Sequence, residues 1–561
     1  MRLPSLRRIG FLLAVELWPV LVIGGLVALV LRQVSESEWR EVFLYNGDSL
    51  VLPLLEQSFA KGEPFHWVFS TQSFLFPEFP VFWLCSLVTT SAQSALLLNA
   101  VVNVLLLYGV MRVIVSLLAP GHRLRQVAIA LLGALIFVSA VLTEQSTTIL
   151  PPGIVSPISI PTLFLLTTYY YGVVLISLTT IALALWFTRR FTYGALSGPR
   201  VAVYVSVVLV IGSATMYSNP LYLLQLALPL GAVLIVLVLI GQMSLRWFSA
   251  TFFPVLAAVL MGTILRIVFA EYLINDFRSY IGVTKSLDSI QVLYGVVGNW
   301  LHSFPGVLKL LLLLTPLTIA LVWTIRVFAR RRSRPVRPRT VELFVMIFVL
   351  LSAFSLLVGQ VATGQQLTRY LIPLFIFPLL VILLLSDERS LGRRLWTAIA
   401  MLPRRVVSVA VGVLTVAAVG LSVAAIAVSV RPIQAMAETD YTPAACLNDW
   451  LDGRQLDGIG SFMTTRPIKL YGDLDGELLQ VINNSIVQPW MNNLSLYQDR
   501  TFSYLLVDSP ELDDDIVMLL GEPLARTECP SYVIYDYSGD SGIQLNQVIQ
   551  QSYRAAVGRQ G

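Results

Sequence analysis

Two carboxylates stand out among the polar residues: Asp48, in Tyr45-Asn46-Gly47-Asp48-Ser49-Leu50, and Glu78, in Phe76-Pro77-Glu78-Phe79-Pro80. A carboxylate held beside a cavity at a bilayer surface can take the proton of an incoming hydroxyl group, which is general-base catalysis of a transfer reaction. Asp48 is equally suited to cap the helix that follows it, because an aspartate ahead of an apolar-periodic run accepts from the free backbone N–H groups. Glu78 reads as a solvated loop carboxylate, and His66-Trp67 between the two as an interfacial aromatic anchor. Other chemistries lack their residues. His66, His122 and His302 have no partner at metal-ligand spacing, and there is no Gly-rich phosphate loop, no His-Glu-x-x-His and no Gly-x-Ser-x-Gly. Zinc hydrolysis, nucleotide hydrolysis and serine hydrolase chemistry are therefore unsupported. No cofactor is implied and no metal-ligand set is read, with a divalent ion left open.

The elements that must position these residues are membrane helices. The chain has 561 residues, 56% hydrophobic and 13% charged, against roughly 25% charged in an average soluble domain. Apolar runs of about 20 residues, the length of a crossing, recur through the first 430 positions. The composition predicts an all-α polytopic membrane domain over residues 1–430, with eleven spans near 10–31, 93–118, 127–143, 163–187, 201–217, 222–241, 250–270, 305–327, 341–360, 371–386 and 406–430. The first of these reads as a retained anchor, since no small-residue cleavage site follows it. Loops on the N-terminal side carry 21 basic residues and those on the other side 5, which puts the N-terminus in the cytoplasm and the C-terminal tail outside. The arginine runs are topology signals and not a nucleic-acid footprint. Residues 33–92 form one large extracytoplasmic loop, with surface-lying helices near 49–60 and 79–90; the apolar stretch 79–88 is too short to cross.

The tail, residues 431–561, carries 8 basic and 18 acidic residues, so its net charge is −10, while the remainder stands at +15. It reads as a small extracytoplasmic α/β domain with strands at 458–463, 467–471, 502–507 and 532–537 and helices at 444–451, 476–482 and 545–556. Cys446 and Cys529 lie near its two ends, and an oxidising compartment favours their pairing as a disulfide. Cys85 is left over in the first loop. Trp450, Trp490 and Tyr497 are read as core residues or as glycan contacts.

This organisation resembles the integral-membrane GT-C glycosyltransferases. The resemblance is carried by the carboxylate soon after the first span, the surface helix, Ser94-Ala95-Leu96-Leu97-Leu98-Asn99 opening a second span, and Thr368-Arg369-Tyr370-Leu371-Ile372-Pro373-Leu374 at the entry to a late span. It implies a sugar transferred with inversion from a polyprenyl-phosphate donor to an extracytoplasmic glycan, glycolipid or protein, by a multi-pass protein of the plasma membrane. Carried over by position, Asp48 matches the acceptor-side carboxylate and Arg369 the cation for the donor phosphate. The family often shows paired acids where this chain has Gly47-Asp48-Ser49, so Glu78 or Glu41 is the expected second carboxylate. Arg278, Lys285 and, reaching from the end of its span, Arg266 are further cations for the phosphate. His66, Trp67, Tyr170 and Asn219 are candidates for sugar or acceptor contact, against the plainer readings of an aromatic belt for Tyr170 and a turn for Asn219. A transporter of lipid-linked saccharide and a non-catalytic envelope scaffold are the rival readings; the sequence lacks the paired repeats and broken spans expected of the first.

Overall fold

The computed structural model describes residues 6–119, 123–145, 159–192, 198–274, 285–331, 340–364, 367–386, 393–508 and 513–558. Among these, ten helices are long and apolar enough to cross a membrane, and Leu223–Leu239 is a shorter apolar helix in the place of the expected span 222–241. Inside a bilayer the backbone has no water to bond, so apolar runs of this length satisfy their N–H and C=O groups within the helix. The chain is a multi-pass membrane protein. Its last membrane helix, Arg404–Glu438, has 35 residues, about 52 Å at 1.5 Å per residue, and so outruns a hydrocarbon core of about 30 Å. It packs along Leu6–Ser35, where Gly25 lets the two backbones meet: a Cβ there would lie 2.7 Å from the Ser422 Cα.

The first loop contains helices at both places where the sequence predicts them, Val51–Ala60, most of which is buried, and Glu78–Ser86, together with a short one, Trp39–Leu44, that it does not. Trp83, Leu84, Leu87 and Val88 stay exposed, which leaves helix Glu78–Ser86 an apolar outer face.

The fourth expected span starts later than its hydropathy suggests. The helix runs Tyr171–Thr192, and residues 159–170 form a buried shelf with a single 3-10 turn, Thr162–Leu165. The cause is local. The Glu144 carboxylate accepts from the backbone N–H of Ile160 (2.9 Å) and Thr162 (2.8 Å), which fixes the chain in a non-helical path. Lys309 Nζ stands 3.7 Å from the same carboxylate, and both side chains are buried. A carboxylate in this setting needs both the cation and the two N–H donors to offset its lost hydration.

After the last membrane helix comes a six-stranded mixed sheet in the order Ile486–Val487, Leu478–Ile482, Asp457–Ser461, Phe502–Val507, Tyr532–Asp536, Ala525–Cys529. The central strand Asp457–Ser461 runs parallel to both neighbours and the outer pairs are antiparallel. Helices Thr442–Leu451 and Gly542–Gly558 stand where the pattern predicts them. Two expectations are reversed. Residues 467–471 close the helix Phe462–Tyr471, started by Ser461, whose hydroxyl caps the Thr464 N–H; and 476–482 contain the strand Leu478–Ile482, held in parallel register to 458–461. Cys446 and Cys529 are bonded as a disulfide, and Cys85 is a buried free thiol.

Candidate active site

Asp48 lies in the turn that leads into helix Val51–Ala60, but it does not cap it. The N-cap position is Leu50, with no side-chain bond. The Asp48 carboxylate turns instead toward Arg369, its Oδ2 3.3 Å from Nη1, with 29% of the Asp48 side chain and 18% of the Arg369 side chain still open. The Tyr169 hydroxyl points at the same oxygen from 3.5 Å. Burial, and the Asp48 charge beside it, push the Tyr169 phenol well above the usual tyrosine range, so it remains a proton donor to the carboxylate.

The turn itself is held on every side. Asn46 Oδ1 accepts from the Asp48 N–H (2.9 Å), and the Ser49 hydroxyl donates to the Val42 carbonyl (2.7 Å). From the shelf, Thr168 donates to the Asp48 carbonyl (2.7 Å) and Thr167 to that of Ser49 (3.0 Å). From the sheet domain, Tyr471 donates to the Leu44 carbonyl (2.8 Å) and Arg466 to that of Gly47 (2.8 Å). Each such bond contributes about 1 kcal/mol, and together they fix where the carboxylate can point.

Arg369 sits on the 3-10 turn Thr368–Leu371 at the head of the ninth membrane helix, tied to the shelf by the Thr368 hydroxyl on the Ser159 carbonyl (2.7 Å). Three tyrosines surround its guanidinium: the centroids of Tyr169, Tyr170 and Tyr370 are 5.5, 5.7 and 6.0 Å from Cζ. Cation–π contacts of this kind contribute about 0.5 to 2 kcal/mol each. Tyr170 takes a left-handed backbone, φ 69°, to stack on Tyr370 at 5.3 Å. Arg369 Nε is buried and has no acceptor among the described residues. Beside Tyr370 lies a cavity of about 150 Å³, walled by Leu221, Leu224 and Leu356 and edged by Gln72, Gln360 and Thr363. The arrangement thus joins a partly open carboxylate, a cation whose Nε has no acceptor among the described residues, and an adjoining apolar space.

Asp48, Arg369 and Tyr170 form one cluster. The other expected site residues make their contacts elsewhere. Glu78 is not solvated: it opens helix Glu78–Ser86 at 0% exposure, and neither carboxyl oxygen has a hydrogen-bond partner among the described residues. Gly172 makes room for it, since a Cβ there would fall 2.4 Å from Cδ. Burial drives its pKa up to about 8, with the backbone amides of Glu78 and Gly172 opposing weakly. His66 and Trp67 belong to a seam with the sheet domain, Trp67–Val68 pairing antiparallel with Asn492–Asn493. The Trp67 ring is buried and donates to the Ser58 hydroxyl at 3.1 Å. Asn219 is buried in the turn before Leu221, whose N–H it accepts at 3.1 Å. Arg266 is buried and donates to the Tyr217 carbonyl at 2.7 Å. Lys285 is exposed at the start of helix Ser286–Leu301, and Arg278 lies outside the described residues. Among the described residues no group of three or more His, Cys, Asp or Glu is placed to hold a metal ion.

Sequence reasoning gave no role to Tyr370, although it sits inside the quoted arginine-tyrosine motif. Thr167, Thr168 and Arg466 carried no signal that would single them out.

No family model and no curated protein matches the sequence. Among solved structures, the crystal structure of ArnT from Cupriavidus metallidurans bound to undecaprenyl phosphate superposes with a TM-score of 0.50 at 14% identity, over 92% of this chain and 97% of that one. The chain has an ArnT-like fold. Coverage of 92% takes the likeness through both the membrane helices and the sheet domain. At this identity the likeness to ArnT concerns the path of the chain.

Proposed function

We propose that this protein is a membrane glycosyltransferase of the GT-C type, which moves a sugar from a polyprenyl-phosphate donor to an extracytoplasmic acceptor with inversion. The observation that carries this reading is the Asp48–Arg369 pair, set in a fold shared with a protein whose structure holds undecaprenyl phosphate. The Asp48 carboxylate accepts the proton of the acceptor hydroxyl as its oxygen attacks the anomeric carbon. The bond from that carbon to the phosphate oxygen breaks, and its electron pair leaves with the phosphate. Arg369 neutralises the departing charge, using the Nε donor that has no partner among the described residues; a phosphate leaving group needs that more than it needs protonation. The leucine wall of the cavity beside Tyr370 suits an isoprene unit at the phosphate end of such a donor. The bias of 21 basic residues to 5 supports a cytoplasmic N-terminus with this site and the sheet domain outside.

The test is turnover by purified full-length protein in lipid nanodiscs, supplied with radiolabelled polyprenyl-phosphate sugars and a panel of acceptors. Release of polyprenyl phosphate with labelled product is the expected result. Binding of the lipid with no bond broken across the panel would favour a carrier or scaffold and overturn the transferase reading.

A further inference from the structure

The Gly47 carbonyl, one residue before Asp48, is held by a guanidinium from the other end of the chain. Arg466 lies on helix Phe462–Tyr471 of the sheet domain and is 3% exposed. Its Nη1 donates to the Gly47 carbonyl at 2.8 Å, its Nε to Gln480 Oε1 at 2.9 Å and its Nη2 to the Met491 carbonyl. Its face covers the Phe462 ring at 3.9 Å. All three acceptors are neutral, which is unusual for a buried cation, since burial without a counter-ion is costly. Burial lowers its pKa to about 9, and the anion that acts most strongly in the other direction is Asp48; at neutral pH the group stays charged. The contact is also shaped from the loop side. A Cβ on Gly47 would lie 2.5 Å from Phe462 Cε1, so only glycine lets the turn close on this helix.

We propose that Arg466, with Phe462 and Gly47, is a positioning device by which the sheet domain sets the direction of the Asp48 carboxylate. This rests on the reading of Asp48 as the base. Arg466 touches no reacting atom; it fixes the turn from above while Thr167 and Thr168 fix it from the shelf. The sheet domain is then a working part of the membrane site, joined to its turn by the Arg466 guanidinium next to Asp48 and by the Tyr471 hydroxyl at Leu44.

The experiment combines kinetics with amide hydrogen exchange on full-length protein in nanodiscs. Arg466→Gln should lower kcat by about 10²-fold, the loss that follows a displacement of about 1 Å, with the donor KM unchanged. It should also speed exchange at residues 46–50 at least about tenfold while strand Phe502–Val507 keeps its protection, and Arg466→Lys should recover part of both. If residues 46–50 exchange as in wild type, the clamp does not exist and the proposal falls. If Arg466→Gln also loosens strand Phe502–Val507, Gly47→Ala decides, because it alters no residue of the domain: a matching kcat loss with faster exchange at 46–50 supports the device, and wild-type behaviour overturns it. If the wild type itself transfers no sugar, the transferase reading has failed, and the exchange arm still reports whether the clamp holds the turn.

Discussion

Asp48 and Glu78 come from one loop, thirty residues apart in sequence, and end in opposite surroundings. Asp48 keeps a guanidinium and a phenol on its carboxylate and a path to solvent. Glu78 is sealed among Tyr171, Gly172 and Pro77, without a cation and without a hydrogen bond on its oxygens among the described residues. The first position offers a cation and solvent, whereas desolvation at the second favours the neutral acid at pH 7. Under the proposed function the two acids are different reagents, Asp48 receiving a proton and Glu78 holding its own. A carboxylate is a base only where its anion is both supported and reachable.

The strongest way to break this comparison is to neutralise each acid without changing its shape. Asp48→Asn should lower transfer by on the order of 10² to 10⁴-fold, with thermal stability close to wild type; Glu78→Gln should change it by no more than a few fold. Equal losses in the two rates would end the distinction. Next in size, Arg369→Gln should cost about 10² to 10³-fold in use of the phosphate-linked donor while leaving the acceptor KM alone, and an acceptor KM that moves instead would put the cation on the wrong substrate.

The buried acid has its own signature in the pH dependence of stability. Below pH 4.5 both folded and unfolded chains hold the Glu78 proton; between 4.5 and about 8 the unfolded chain has lost it and the folded chain has not. The folded state therefore loses stability as pH rises through that window, by at most about 1.4 kcal/mol per unit, and the loss stops above about pH 8. Glu78→Gln should flatten that slope, so that the variant outlasts wild type in a melting series at pH 8 and equals it near pH 4.5. Parallel curves for the two proteins would remove the claim. The smallest effect belongs to the shelf. Thr168→Val deletes one hydroxyl on the Asp48 carbonyl and should cost about 1 kcal/mol, read as a few-fold drop in kcat.

How far the sequence discloses this molecule depends on the range of the interactions involved. Helices in the bilayer are dictated by local hydropathy, so the spans and the helices Val51–Ala60 and Glu78–Ser86 are legible. Strand Phe502–Val507 is legible because its β-favouring run is bounded by polar residues. The reversal at 462–482 has a different origin. Glu477, Leu478, Leu479 and Gln480 favour a helix when taken alone, and their pairing with strand Asp457–Ser461 overrides that preference. The late start of helix Tyr171–Thr192 depends on a carboxylate from a neighbouring helix, which hydropathy does not register. At the site, Asp48 and Arg369 could be singled out by type and position, whereas Tyr169 and Tyr370 acquire their place from Arg369 and the guanidinium of Arg466 from a contact 419 residues distant.

That last contact has a consequence for the birth of the protein. Asp48 emerges from the ribosome with the first loop, but the arginine that faces it follows 321 residues later and the one that braces its turn 419 residues after Gly47. At synthesis rates of about 5–20 residues per second this leaves a gap of roughly 20 to 80 s. During that interval the turn has its partners in the first loop and the shelf but neither arginine. A chain that stalls before residue 466 lacks the guanidinium that joins the Gly47 carbonyl to the sheet domain, so the contacts of this turn are completed only in the last part of translation.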